Sequence, residues 1–409
     1  MGREANMNLS NAIDDDYVIS VVEKLVSLPS VSGAEDAISS WTAEELRRLG
    51  LAVVEQEVSP GRRNVLATLE SDRPGPHLLF NGHLDTLPIP EGWSTDPFSP
   101  HRQGDRLVGA EINNMKGAVG AMIGCLSALS QVTEHLRGRI TLSAVIGECD
   151  ALGFGTRHML DQGFTVDAAI NGEPTDLKVM TNHCGVTQLH LVVRGQGTHV
   201  SQRGDGVNAV AKMVGVLAYM SEDIVTFTPH EDFPELPTVN VGLVRGGTMA
   251  SILAARAEAM IDVRTVPGMT PDSVLDDITS LVARLTAEDP TLDADVELVG
   301  APEFMQQHPF QMSADEPVID AVAAAHAALC GCRPYVGTLF PQVFFGTDAS
   351  HLARAGIPTA IYGPGKVSDI NVANESMAIA DLLQASRVYL NSSLIICGRR
   401  ETADIGKTE

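Results

Sequence analysis

Residues 145 to 156 read VIGECDALGFGT, an apolar run that ends on Glu148, Cys149 and Asp150 and is followed by Gly153 and Gly155. Carboxylates at the end of a strand are a common way to hold a metal or a general base, and a cysteine between them adds a nucleophile that acts only as its thiolate. A second polar pair, His83 and Asp85, lies at the end of the run in HLLFNGHLDT (77–86). Glu173, in NGEPT (171–175), adds a further carboxylate after an apolar run. Acid–base, metal-assisted and thiol chemistry are all open to such a set.

These side chains need elements to aim them. DDDYVISVVEKLVSL and AEDAISSWTAEELRRLG carry acids ahead of apolar residues at helical spacing, and the second stops at Gly50. The strands LAVVEQEV, HLLFNGHLD and ITLSAVIGE follow, with a helix from about Met115 to Ser130 between the last two. Apolar strands separated by helices predict an α/β catalytic domain with a mainly parallel sheet and helices on both faces. In such a sheet the chemistry collects at the C-terminal strand ends, where His83 and Glu148 to Asp150 fall. From Gly185 to Leu298 the order becomes β-α-β-β-α-β, a ferredoxin-like α+β pattern that predicts an inserted domain. The expected division is 1–184 and 299–409 for the two parts of the catalytic domain and 185–298 for the insert. The last residues, GRRETADIGKTE, are expected to fray.

At 409 residues, with 44% hydrophobic residues, the chain can bury a large core in more than one domain. Its net charge of −24 comes from 28 Lys and Arg against 52 Asp and Glu. With no basic run, nucleic acid and anionic membranes are not expected partners. No apolar h-region opens the N-terminus and no apolar stretch is long enough to span a bilayer, so a cytoplasmic location is expected. The six cysteines are scattered, match no usual zinc spacing and are expected to be reduced.

Five stretches stand in an order shared with one family: GHLDT (82–86), LVGAEINNMKGAVGAM (107–122), GECDALGFGT (147–156), NGEPT (171–175) and FGTDASHLARAGIPTAIYGPG (345–365). In these the chain resembles the metallopeptidase and deacylase family of acetylornithine deacetylase, succinyl-diaminopimelate desuccinylase, aminoacylase and carboxypeptidase G. The resemblance implies cleavage of the amide of an N-acyl amino acid or short peptide by water activated on two zinc ions. It also implies a homodimer formed through the inserted, lid-forming domain. By the same resemblance His83 and Glu173 match ligands of one zinc, Asp85 orients His83, and Asp150 matches a ligand of the other zinc. Arg264, His199 and Asn240 match parts of the substrate clamp, and His199 is the residue that crosses the dimer interface to the scissile carbonyl.

Three positions depart from the family pattern. Asn114 replaces the bridging aspartate, Cys149 stands at the general base, and Asn371 stands where a histidine ligand is expected. Asn114 and Asn371 then become neutral groups of a substrate pocket. A neutral amide does not screen two cations, so a dinuclear zinc centre is not expected, and the cofactor is either absent or a single weakly held zinc on His83, Asp150 and Glu173.

Three readings follow. In one, Cys149, His83 and Asp85 form a thiol triad that passes an acyl group through a thioester to water or an amine, by hydrolysis, transfer or condensation. In another the chain binds an acyl amino acid without turnover. In the third it is a metal-dependent amidohydrolase with unusual ligands, Glu148 serving as base and Asp369 or Glu375 substituting near Asn371. Lys116 is expected to be structural, in a cap or ion pair, His183 and Cys184 to pack a hinge, Asp348 to stand at the pocket rim or to orient a loop there, with His351 following it after an apolar strand, and His308 to be an exposed loop residue.

Overall fold

The computed structural model describes residues 12–150, 152–300 and 306–399, so most of the C-terminal tail lies outside the described residues. Asp14 opens helix α1 (Asp15–Val26) by accepting the amide N–H of Tyr17 at 3.1 Å, with Asp15 and Asp16 in the first turn and Lys24 in the last. Helix α2 (Asp36–Arg48) precedes an antiparallel pair, β1 (Ala52–Ser59) and β2 (Arg62–Glu70). Strand β3 (His77–His83) is buried throughout, as a central strand covered on both faces must be. Helix α3 (Gly117–Ser130) is apolar all round and sunk in the core. Its Gly120 and Gly124 let α1 approach, since a Cβ there would meet the Cγ2 atoms of Val22 and Val18 at 2.3 and 2.4 Å. Strand β4 (Arg139–Val145), helix α4 (Phe154–Asp161) and the short strands β5 (Ala168–Asn171) and β6 (Val179–Met180) complete this first part.

The chain then builds a second sheet from β7 (Gly185–Arg194), α5 (Ala209–Leu217), β8 (Thr238–Gly246), β9 (Arg256–Thr265), α6 (Pro271–Glu288) and β10 (Asp293–Leu298). Its order is β8-β9-β7-β10 and every pairing is antiparallel, the ferredoxin-like arrangement. Thr270 starts α6 with a reciprocal cap to Ser273 and Pro271 follows at the first helical position. Afterwards α7 (Pro317–Cys330), β11 (Val336–Gly337), α8 (Ala349–Arg354), β12 (Thr359–Ile361) and α9 (Ile379–Cys397) return to the first sheet.

That sheet has eight strands in the order β1-β2-β4-β3-β5-β12-β6-β11. Its four central strands, β4, β3, β5 and β12, run parallel, the neighbouring strands β2 and β6 join them antiparallel, and the outer β11 pairs parallel with β6. Alternation along β3 covers both faces: Leu78 and Phe80 join the core under α1, α3 and α9, while Leu79 packs with Met159 of α4 and Leu352 of α8. Burying each such side chain contributes about 1.5–3 kcal/mol. The fold therefore matches the expected α/β architecture with a ferredoxin-like unit between its two parts. Among the described residues no helix is long and apolar enough to cross a membrane.

Candidate active site

The parallel strands deliver their side chains to one edge. His83 is the last residue of β3, Glu173 lies two residues beyond β5, and Glu148 and Cys149 lie just past β4. Gly147 makes the turn after β4 with φ +72, a conformation that suits glycine. Asp85 then fixes the turn: its Oδ1 accepts the N–H of Glu148 at 3.1 Å, and its Oδ2 accepts the N–H of Cys149 at 2.9 Å and the hydroxyl of Ser32 at 2.9 Å.

His83 is buried at the centre. Its Nδ1 donates to the backbone carbonyl of Asp85 at 2.8 Å, which leaves Nε2 facing Asn114 Oδ1 at 3.3 Å, Glu173 Oε1 at 3.7 Å and Glu148 Oε2 at 3.9 Å. Burial works against protonation of His83, but Glu173, Asp85 and Asp348 together carry its pKa above the usual imidazole value. Burial lifts Glu173 to about 8, and Glu173 Oε1 has no hydrogen-bond partner. Burial, then the charges of Asp348 and Asp85, raises Glu148 well above the ordinary carboxylate range, while the nearby Gln307 and Cys149 oppose the shift. Asp348 is buried as well, raised by burial to about 6, and accepts the hydroxyl of Thr156 at 2.9 Å.

A cavity of about 400 Å³ opens over this group. Asn114, Glu148, Cys149 and Glu173 line one side, and Arg264, Gln307, Phe345 and Ile370 line the other. The size suits a small molecule. Arg264 is steered by Asp262, which accepts from Nε at 2.7 Å, and donates to the carbonyl of Phe344 at 3.2 Å. Its side chain stays 31% exposed, enough to meet a ligand.

Several expectations are corrected. Asp150 is not gathered with His83 and Glu173; Arg62 bonds both its carboxylate oxygens at 3.1 Å and also pairs with the buried Glu35, which draws Asp150 outward. Glu148 takes the inward place. Cys149 lines the cavity, but its Sγ lies 3.7 Å from the carbonyl of Asp85, and no hydrogen bond to His83 forms. Asp85 orients His83 through its backbone carbonyl while its carboxylate caps the turn, so a Cys-His-Asp relay is not assembled. Burial, then the charges of Asp85 and Glu148, pushes the Cys149 thiol well above its usual value. His83, Asp85 and Cys149 do form the group whose ligand atoms all lie within 4.8 Å of one another among the described residues. The Asp85 oxygens in it are already occupied.

His199 and Asn240 do not reach the cavity within one chain. His199 lies in a groove of about 560 Å³ on the inserted unit and bonds Ser201, and Asn240 is exposed on the edge strand β8. Asn371 has φ +50 and a buried, unpartnered Oδ1. Lys116 is buried at the start of α3 and donates to the carbonyl of Leu28 at 2.9 Å, a backbone contact in place of the expected side-chain cap or ion pair. His183 packs as expected, stacked on Phe310 and bonded to Thr347 at 3.0 Å. His351 is buried and donates to the carbonyl of Leu152 at 2.7 Å. His308 is not an exposed loop residue: it is half-buried with Arg157 and Arg354 around a separate cavity. Sequence reasoning missed Gln307, which carries no motif, and Glu111, an acid inside GAEINNMKG that could have been noticed there. Glu111 is buried with φ +59, and burial, reinforced by Glu375, raises it to about 8.

Residues 79–393 match the model of the peptidase family M20/M25/M40. The chain belongs to that family. It is 25% identical over 397 residues to N-formyl-4-amino-5-aminomethyl-2-methylpyrimidine deformylase of Bacillus subtilis, covering 90% of each. It is 27% identical to acetylornithine deacetylase of Proteus mirabilis, over 88% of this chain and 92% of the relative. Among solved structures, an M20-family metallo-carboxypeptidase from Sulfolobus solfataricus superposes with a TM-score of 0.77 at 17% identity, covering 93% of this chain and 99% of that one. Aminopeptidase PepT from Bacillus cereus gives 0.73 at 18% identity, over 94% and 99%. Family membership makes peptidase or deacylase activity on an amide bond the coarse function of this M20 chain.

Proposed function

We propose that this chain hydrolyses the amide of a small N-acylated amino acid or amine, with one divalent cation held by His83 and Glu173 and with Glu148 as the base. The observation that carries this reading is the convergence of Asn114, Glu173 and Glu148 on His83 Nε2, at 3.3, 3.7 and 3.9 Å, with Glu173 Oε1 buried and unpartnered. A pair of zinc ions does not fit these residues, because Asn114 offers no bridging charge, Asp150 is drawn onto Arg62 and Asn371 offers only an amide. A single cation fits the orphaned oxygen of Glu173 beside His83 Nε2, whose one hydrogen-bond contact among the described residues is the neutral amide oxygen of Asn114 at 3.3 Å. When bound, it supplies Lewis-acid polarisation and a more acidic water.

The chain's own residues do the rest. Glu148, with its raised affinity for protons, takes one from the attacking water as the new C–O bond forms and returns it to the leaving nitrogen as the C–N bond breaks. Arg264 holds a substrate carboxylate, and the unpartnered Nε2 of Gln307 donates to a substrate oxygen. The two relatives are named for removing formyl and acetyl groups, which supports a small acyl group. His199 and Asn240 enter this reading only from a second copy, for which exposed Val210, Val214, Met249 and Ile252 offer an apolar face. Light scattering at twice the chain mass supports that dimer, and scattering at the chain mass removes it.

A second reading rests on the approach of Cys149 to His83 and Asp85 within 4.8 Å, which would suit a thioester route if the thiol ionised. Hydrolysis of a panel of N-formyl and N-acetyl amino acids, with chelator and after repletion by Zn²⁺ or Mn²⁺, separates the two. The cation reading predicts loss with chelator, recovery on repletion and no recovery in His83→Ala. Undiminished turnover in chelator, abolished by Cys149→Ala, transfers the function to the thiol. Binding without turnover under every condition makes the chain a binding protein.

A further inference from the structure

A second cavity, of about 300 Å³, lies between the inserted unit and the catalytic domain and shares no lining residue with the catalytic one. Arg157 of α4 and Arg354, the last residue of α8, line it from the catalytic domain. Thr270 and Asp272, at the opening of α6, wall it from the inserted unit, and His308 lies on the segment that joins the two. Acids outnumber bases by 52 to 28 in this chain, so an arginine has carboxylates in excess to pair with. Arg354 nonetheless makes no ion pair and no side-chain hydrogen bond among the described residues. Arg157 reaches only the exposed Asp161, at 3.7 Å, which is too long for a hydrogen bond. The half-buried His308 ring also forms no hydrogen bond among the described residues. Burial, then the positive charges of Arg354 and Arg157, lowers His308 to about 4, so both guanidiniums act on one ring, and Asp272 opposes the shift. Asp272 is the carboxylate on the lining, and it is exposed.

We propose that this cavity binds a small doubly charged oxyanion, of phosphate or dicarboxylate type, between Arg157 and Arg354, with the His308 ring donating a further hydrogen bond. An oxyanion offers each guanidinium the bidentate partner that the chain itself does not supply. Its seat joins α4 and α8 to the opening of α6, so a bound anion ties the inserted unit to the catalytic domain. The seat also adjoins the catalytic cavity through the backbone. Gln306 and Gln307 form a two-residue strand paired antiparallel with β7, and consecutive strand residues point to opposite faces. Gln306 lines the anion cavity and Gln307 the catalytic one.

The test is binding of inorganic phosphate and, separately, of succinate to the full chain at constant ionic strength, followed by titration calorimetry and by the rise in thermal midpoint, with circular dichroism to confirm the fold of each variant. One saturable site per chain is expected that persists in Arg264→Ala and His83→Ala, and the tighter of the two anions names the chemical source. Arg157→Gln and Arg354→Gln should each weaken that site by about tenfold or more. Asp272→Asn removes the opposing carboxylate and should tighten it by about two- to fivefold, a gain that misfolding cannot produce. The proposal is overturned if neither anion binds saturably. It is overturned equally if binding survives both arginine substitutions and is lost in Arg264→Ala or His83→Ala, which places the anion at the catalytic centre.

Discussion

At the scale of single residues, the site turns on which members of Glu148, Cys149 and Asp150 face inward. Glu148 reaches 3.9 Å from His83 Nε2, whereas Asp150 is held by Arg62. Asp150→Asn is therefore expected to leave turnover within a few-fold of wild type, and the steady-state rate checks this. A drop comparable to that of His83→Ala would return Asp150 to the centre. Arg264 gives a second prediction. Losing charge-assisted hydrogen bonds to a substrate carboxylate is worth about 1.5–3 kcal/mol each, so Arg264→Ala should lower kcat/KM by about 10–100-fold on acylated amino acids. Acylated amines that lack a carboxylate should be affected far less, and equal losses on both would remove Arg264 from recognition.

At the scale of elements, β2 and the turn after β4 are tied together by Arg62, which spans buried Glu35 and partly exposed Asp150. Arg62→Met leaves Glu35 as an unpaired buried charge and is expected to cost about 3–5 kcal/mol in chemical denaturation. Asp150→Asn, acting at a side chain 39% exposed, should cost no more than about 1 kcal/mol. Equal costs would mean that the pair with Glu35 is not the structural one. The same elements explain what the sequence made legible. Strand and helix periodicities placed His83 and the 145–150 run at one sheet edge, because burial on both faces leaves a plain signature in β3 and α3, whereas Glu173 was legible only through the family resemblance of NGEPT. Which carboxylate turned inward was not legible. Positive φ values at Gly147, Leu152 and Gly153 break the alternation, and the partner that draws Asp150 away lies 88 residues earlier. Glu111 was hidden for a similar reason, since its left-handed backbone does not follow helical or strand spacing.

At the scale of the whole molecule, an acidic chain keeps several carboxyls in one buried centre, and that sets how its stability responds to pH. Glu111 and Glu173 stand at about 8 and Glu375 at about 7, all raised first by burial. In the unfolded chain glutamates titrate near about 4.3, so between that value and 8 the folded chain holds protons that the unfolded chain has released. Their contribution is complete below about 4.3 and is lost as pH rises through 7 and 8. In chelator the thermal midpoint should accordingly fall between pH 6 and 8.5, and saturating Mn²⁺ should offset the fall. A midpoint that climbs over that interval without metal would show that the centre is not held by protonated carboxyls.

The central claim is that Glu148, and not Cys149, moves the proton during amide hydrolysis. Steady-state kcat for the N-acyl amino acid turned over fastest, measured in Glu148→Gln and Cys149→Ala under metal-replete conditions, tests it most directly. Glu148→Gln is predicted to lose about 10²–10⁴-fold and Cys149→Ala to stay within a few-fold of wild type. Loss of turnover in Cys149→Ala with activity retained in Glu148→Gln would contradict the account and place the chemistry on the thiol.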